Sequence, residues 1–82
     1  MLRILKQINS TTSSIWYNFA NIPKDLSPNN DLLFAGYDND ITIKNDSYPV
    51  EVKVEANGNL DVWLFSGTTS INLRTTIVYL KQ

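Results

Sequence analysis

The residues best suited to chemistry in this chain form one short acidic string, Asp38-Asn39-Asp40. Two carboxylates and an amide so close together are oxygen ligands of the kind calcium takes. A calcium loop needs further oxygen donors and a glycine, and Ile41 and Ile43 stand where ligands should be. Turn chemistry accounts for Asp and Asn here equally well, so the string reads as a loop and not as a metal site. Asp38, Asp40, Asp46, Glu51, Glu55 and Asp61 are the candidates for a glycosidase carboxylate pair. Glu51 and Glu55 share one strand face but stand four residues apart, about 13 Å by strand rise, too far for either hydrolytic geometry. Glu51 and Lys53 are instead the surface charges that discourage edge aggregation.

Two residue types are missing altogether. With no Cys and no His, the chain has no disulfide framework, no thiolate nucleophile and no zinc ribbon. It also lacks the commonest general base, so Ser–His and Cys–His catalysis cannot be assembled within one chain. The reading is therefore non-enzymatic, with no cofactor. What remains is binding chemistry. Tyr37, Tyr48 and Trp63 offer aromatic faces, and Asp38, Asn39 and Asp40 offer short acceptors. Sugars use this combination, ring face against ring face and hydroxyls onto carboxylate and amide. These six residues are the candidate ligand-binding set.

Charge narrows the partners. Seven Lys plus Arg against eight Asp plus Glu leave a net charge of −1. Nucleic-acid binding needs clustered cations to neutralise phosphates, and polybasic membrane attachment needs the same. The N-terminal Leu2-Arg3-Ile4-Leu5-Lys6-Gln7-Ile8 is apolar, but two cations interrupt it, so it suits neither a spanning helix nor a signal-peptide core. Asn9-Ser10-Thr11 and Asn45-Asp46-Ser47 match the glycosylation acceptor pattern and, with no secretion signal, read as ordinary loop residues.

The elements that must position these side chains are strands. Eighty-two residues allow one domain, residues 1–82. Ala occurs only at positions 20, 35 and 56, while β-branched and aromatic residues are frequent. Alternation is clearest at Val50, Val52 and Val54, with Glu51, Lys53 and Glu55 between them, a strand with one dry and one charged face. A turn at Ala56-Asn57-Gly58 follows. A two-residue loop would oppose buried to charged residues. A three-residue loop with Gly58 left-handed sets Val54 against Leu60, Val52 against Val62, Val50 against Leu64 and Lys53 against Asp61. The predicted hairpin is thus 49–56 with 59–66.

Its outer face carries Trp63 and Phe65. Either another strand, a loop or a neighbouring subunit covers them, or they form an exposed stacking platform. Further strands are expected at Leu2 to Ile8, Ile15 to Phe19, Leu32 to Tyr37, Ile41 to Ile43 and Ser70 to Leu80. Asn21 to Asp31 is a long loop and Asn45-Asp46-Ser47 a turn. Six to seven strands predict an all-β fold, a small antiparallel, jelly-roll-like β-sandwich. So small a core comes out near zero net stability without a staple. Several strands also carry hydrophobes on both faces, so self-association is expected.

One ordered string goes beyond composition: Ile22-Pro23, Leu26-Ser27-Pro28, Leu33-Phe34-Ala35-Gly36-Tyr37, Val50 to Val54, Asn57-Gly58-Asn59-Leu60, then Ser70-Ile71-Asn72-Leu73 running to Ile77-Val78-Tyr79. Over about residues 15–80 it resembles the C-terminal head or tip domains of bacteriophage tail-fibre and baseplate receptor-binding proteins. The resemblance implies a homotrimeric β-sandwich at the tail tip of a virion, soluble, recognising host-surface saccharide or protein without catalysis. Two other classes fit the composition: a structural or assembly protein, such as a capsid decoration or fibre cap, and a small phage-encoded inhibitor of a host protein.

Overall fold

The structure, a computed structural model, describes residues 2–40 and 46–80, with the side chains of 39, 40, 46 and 47 left aside. Among them are six strands: β1 Leu2–Asn9, β2 Ile15–Asn21, β3 Leu32–Asp40, β4 Asp46–Val54, β5 Asn59–Leu64 and β6 Ser70–Ile77, with a short 3-10 turn at Lys24–Leu26. All pair antiparallel in one sheet of order β1-β6-β3-β4-β5-β2. β3, β4 and β5 follow one another, and β6 returns beside β3, which is Greek-key order. The all-β, antiparallel, sandwich-like expectation therefore stands, built from a single curled sheet.

The curl follows from chain length. β1 and β2 lie at opposite edges, yet only residues 10–14 join them. That stretch reaches about 20 Å fully extended, whereas a flat six-stranded sheet sets its edges about 24 Å apart. The sheet must bend until its edges approach. Lys6 Nζ, on β1, donates to the carbonyl of Phe19, on β2, at 3.0 Å. The joining segment is itself pinned to the β5–β6 crossover: Ser10 N–H donates to Thr69 O, Ser14 N–H to Leu64 O, and Gly67 N–H to Ser13 Oγ.

Bending gives the sheet an inside. The buried apolar residues are Ile8, Phe19, Val50, Val52, Val54, Leu60, Val62, Leu64, Ile71, Leu73 and Ile77. On β4, β5 and β6 they follow the two-residue period predicted for the inward face. The predicted three-residue turn is present: Val52 faces Val62, Lys53 faces Asp61 and Val54 faces Leu60. Glu55 N–H donates to Asn59 O, and Gly58 N–H to Glu55 O.

Several expectations need correction. Asp38, Asn39 and Asp40 are not in a loop; β3 runs through them, opposite Tyr48, Ser47 and Asp46. Asp46 and Ser47 accordingly belong to a strand, not a turn. Polar residues hid this pairing, because strand alternation is read from apolar side chains. Asn45 and the strand expected at Ile41 to Ile43 lie outside the described residues. The hairpin ladder stops at Val52 opposite Val62, so Val50 is not paired with Leu64. Since Glu55 N–H points to β5, so does every second residue before it, Pro49 included. Proline has no N–H to continue that ladder. The last strand ends at Ile77, and Tyr79 turns away to donate its hydroxyl to Leu26 O. In β2 the register slips between Asn18 and Ala20, a bulge that adds Phe19 to the core.

The hairpin turn is latched to the loop after β2. Gly58 O accepts from Ile22 N–H, Ser27 Oγ donates to Ala56 O, and Asp31 Oδ1 accepts from Ala56 N–H. Gly58 has φ +98°, and a Cβ there would lie 2.4 Å from Ile22 O. Gly67 has φ +83° with open space around it. Gly67→Ala is therefore expected to cost about 1–2 kcal/mol, the left-handed penalty alone. Gly58→Ala should cost clearly more, because it adds a backbone clash. Urea unfolding of the two variants checks this, and equal losses would contradict the latch.

Candidate functional site

The strand connections 10–14 and 65–69 fall at one end of the curled sheet, and the candidate residues fall there too. Below Val52 the β4–β5 ladder is intact; above it the strands part. The gap is a cleft of about 430 Å³, lined by Asp38, Tyr48, Pro49, Val50, Trp63, Phe65, Thr68 and Ile71. β3 and β4 form one wall, and β5 with the crossover to β6 forms the other.

Register places each side chain. Asp38 lies opposite Tyr48 and Leu73, hence on the core side of the sheet near its rim. Its Oδ1 accepts from Asn72 N–H at 2.9 Å, one step beyond the last β3–β6 backbone pair. The second carboxylate oxygen has no hydrogen bond to another described residue, which leaves acceptor capacity beside the cleft. Tyr48 is half exposed at the mouth. Trp63 is outward on β5 and partly covered by Trp16 of β2, ring centroids 5.5 Å apart and planes at 59°. Lys53 Nζ caps the Trp16 ring at 4.5 Å. Such tilted aromatic pairs and cation–π contacts hold ring orientation. Trp63 is therefore covered by a neighbouring strand and also lines the cleft.

Of the six predicted residues, Asp38, Tyr48 and Trp63 meet in this cleft. Tyr37 does not: it neighbours Asp38 in the strand, so it faces the opposite side, exposed between Pro49 and Arg74. Asn39 and Asp40 lie in β3, with side chains outside the described set. Phe65, Pro49, Val50, Thr68 and Ile71 complete the lining. Phe65 carried a signal, as an aromatic on a strand face expected to be polar. Thr68 and Ile71 had none, because only the crossover brings them near Trp63.

A carboxylate pair does form, away from the cleft. Glu55 and Asp61 come together on the outer face, with Asn18 Nδ2 donating to Asp61 Oδ1 at 3.1 Å and Lys53 Nζ 3.7 Å from Glu55. A hydrogen bond between the two carboxyl groups raises the Glu55 pKa; loss of hydration and the Asp61 charge add to this, and Lys53 opposes it. The pair does not line the cleft and reads as a packed surface cluster. No group of three or more His, Cys, Asp or Glu capable of holding a metal ion occurs among the described residues. No described helix is long and apolar enough to cross a membrane. No protein-family model, curated protein or solved structure significantly matches this chain.

Because the folded state raises the Glu55 pKa, it holds that proton more tightly than the unfolded chain. The resulting stabilisation is full below the ordinary glutamate range and is lost as pH rises through the raised value. Glu55→Gln removes this dependence. Thermal melts should show the variant gaining on the wild type between mildly acidic and neutral pH; a pH-independent difference would contradict the raised Glu55 pKa.

Proposed function

We propose that this chain is a non-catalytic attachment module whose cleft takes a host-surface saccharide. The observation that supports this is the convergence of Tyr48, Trp63 and Phe65 on one carboxylate, Asp38, at a single open end of the fold. Ring faces desolvate the apolar side of a sugar, and a carboxylate with a spare lone pair accepts its hydroxyls. Such sites bind weakly one at a time, and several copies on one particle multiply the effect. This accords with the resemblance to bacteriophage tail-fibre and baseplate tips, which implies a homotrimer at the tail tip of a virion.

The breadth of the apolar outer strand face favours a second reading, an assembly protein such as a capsid decoration or fibre cap that binds protein alone.

Titration of tryptophan fluorescence against a panel of bacterial surface polysaccharides separates the two. A saturable change is expected for at least one polysaccharide. Tyr48→Ala should weaken it about 3- to 10-fold, the value of one aromatic contact, with stability unchanged within about 0.5 kcal/mol as for an exposed residue. Asp38→Asn keeps an acceptor for Asn72 N–H and should weaken binding without unfolding. Silence across the panel, with intact binding to a protein of the particle, would support the assembly reading instead.

A further inference from the structure

The cleft has an electrostatic sign. Asp38 is the charged side chain in its lining, which contains neither Lys nor Arg. The segments that rise around it agree. Residues 36–40 of β3 and 46–50 of β4 carry three Asp and no cation, and the connections 10–14 and 65–69 carry no charge. Lys44, between β3 and β4, lies outside the described residues. The described cations near in register are directed elsewhere. Arg74 lies opposite Tyr37, on the other side of the sheet from Asp38. Lys53 caps Trp16 and sits 3.7 Å from Glu55. Lys6 shares Leu73 as a register neighbour with Asp38, two strands away or about 10 Å, and gives its ammonium to the Phe19 carbonyl. Among the described residues Asp38 thus has no ion-pair partner. A second cavity, at the hairpin end, is lined by Leu2, Ile22, Leu60 and Tyr79 among others and has no charged side chain. A bare carboxylate is a property of the cleft alone among these two.

The rings and the carboxylate favour the same ligand charge. Tyr48, Trp63 and Phe65 line the cleft, and the face of an aromatic ring is the negative part of its quadrupole, so it attracts a cation as well as the apolar side of a sugar. Asp38 then discriminates between sugars. A neutral sugar over it would strip water from a carboxylate and return no counter-charge, which is costly away from bulk solvent. A phosphorylated or uronic sugar would add a like charge. An ammonium group supplies the missing charge. Its N–H donors also suit the acceptors present, the Asp38 oxygen not bonded to Asn72 N–H and the Thr68 hydroxyl. A quaternary ammonium has no N–H and would use the rings alone.

We propose that the cleft selects a sugar bearing a free, protonated amino group, with Asp38 as the specificity-determining residue that pairs with the ammonium. This deepens the saccharide reading of the cleft and rests on it. A volume of about 430 Å³ lies in the range of small-molecule sites, so recognition falls on a short stretch of the glycan.

Calorimetric titration with three β-1,4-linked tetrasaccharides in mildly acidic buffer tests this. Those of glucosamine, N-acetylglucosamine and glucose differ in one ring substituent: a protonated amine, an uncharged amide or a hydroxyl. The glucosamine oligomer should bind about tenfold tighter than the other two, and added salt should weaken its complex alone. Asp38→Asn, which keeps an acceptor for Asn72 N–H, should lower glucosamine affinity about tenfold and leave glucose affinity within about twofold. Asp25→Asn, in the 3-10 turn at the other end, controls for general attraction and should change nothing. Circular dichroism confirms the fold of each variant. Equal affinity for the three oligomers would overturn the proposal and leave the saccharide cleft standing, as would a panel in which only polysaccharides without free amines bind. A glucosamine preference that survives Asp38→Asn, or falls equally with Asp25→Asn, would also overturn it, and so would choline competing better than glucosamine. Silence from the oligomers and the whole polysaccharide panel would remove the saccharide reading and this proposal together.

Discussion

The structure depends on a limit of reach. Five residues must carry the chain from one edge of a six-stranded sheet to the other, and a flat sheet would be too wide for them. The sheet curls, and the inward residues of β4, β5 and β6 gain a common interior. Lys6 meeting the Phe19 carbonyl across the closing edges is the visible result, since a bulge carbonyl left unpaired near the core would be costly. A domain this small buries little, so the geometry that encloses one strand face is worth more than any individual contact.

The same curl leaves the two ends unlike each other. At the hairpin end, Ile22, Ser27 and Asp31 bond to the turn around Gly58, and backbone polar groups are satisfied by short local links. At the other end the crossovers pass over a ladder that has already stopped. Pro49 is the local cause: its missing N–H lets β4 and β5 part above Val52. The parted strands expose their aromatic side chains to one another across open space. A cleft thus arises where regular pairing fails, while the intact lower sheet keeps its walls in place.

The two faces of the sheet also divide the chemistry. The inner face is apolar at its centre and keeps charge to its margins, Lys6 at the closing edge and Asp38 at the rim. The outer face mixes Trp16, Trp63 and Lys53 with the Glu55–Asp61 pair on one side and sets the exposed Leu5 and Tyr37 beside Arg74 on the other. The tilted Trp16 ring, itself capped by Lys53, hides part of Trp63. Leu33 and Leu5 stay largely exposed on the rest of this face.

Much of the fold was legible in the residues themselves. The Val50, Val52 and Val54 alternation and the Asn57-Gly58 turn determined the hairpin register, because only one loop length keeps the apolar set on one side. Alternation along β1 and β6 determined their faces in the same way. The site was legible in part. Residue type singled out Asp38, Tyr48 and Trp63, but type does not say which side of a strand faces a cavity, and Tyr37 turned out on the other. The polar end of β3 had no apolar period to announce it. The approach of Thr68 and Ile71 to Trp63 and that of Lys6 to the Phe19 carbonyl were decided by tertiary structure alone. Each joins segments whose separation is set by sheet curvature and crossover path, and local sequence carries no record of distances that exist only once the sheet has closed.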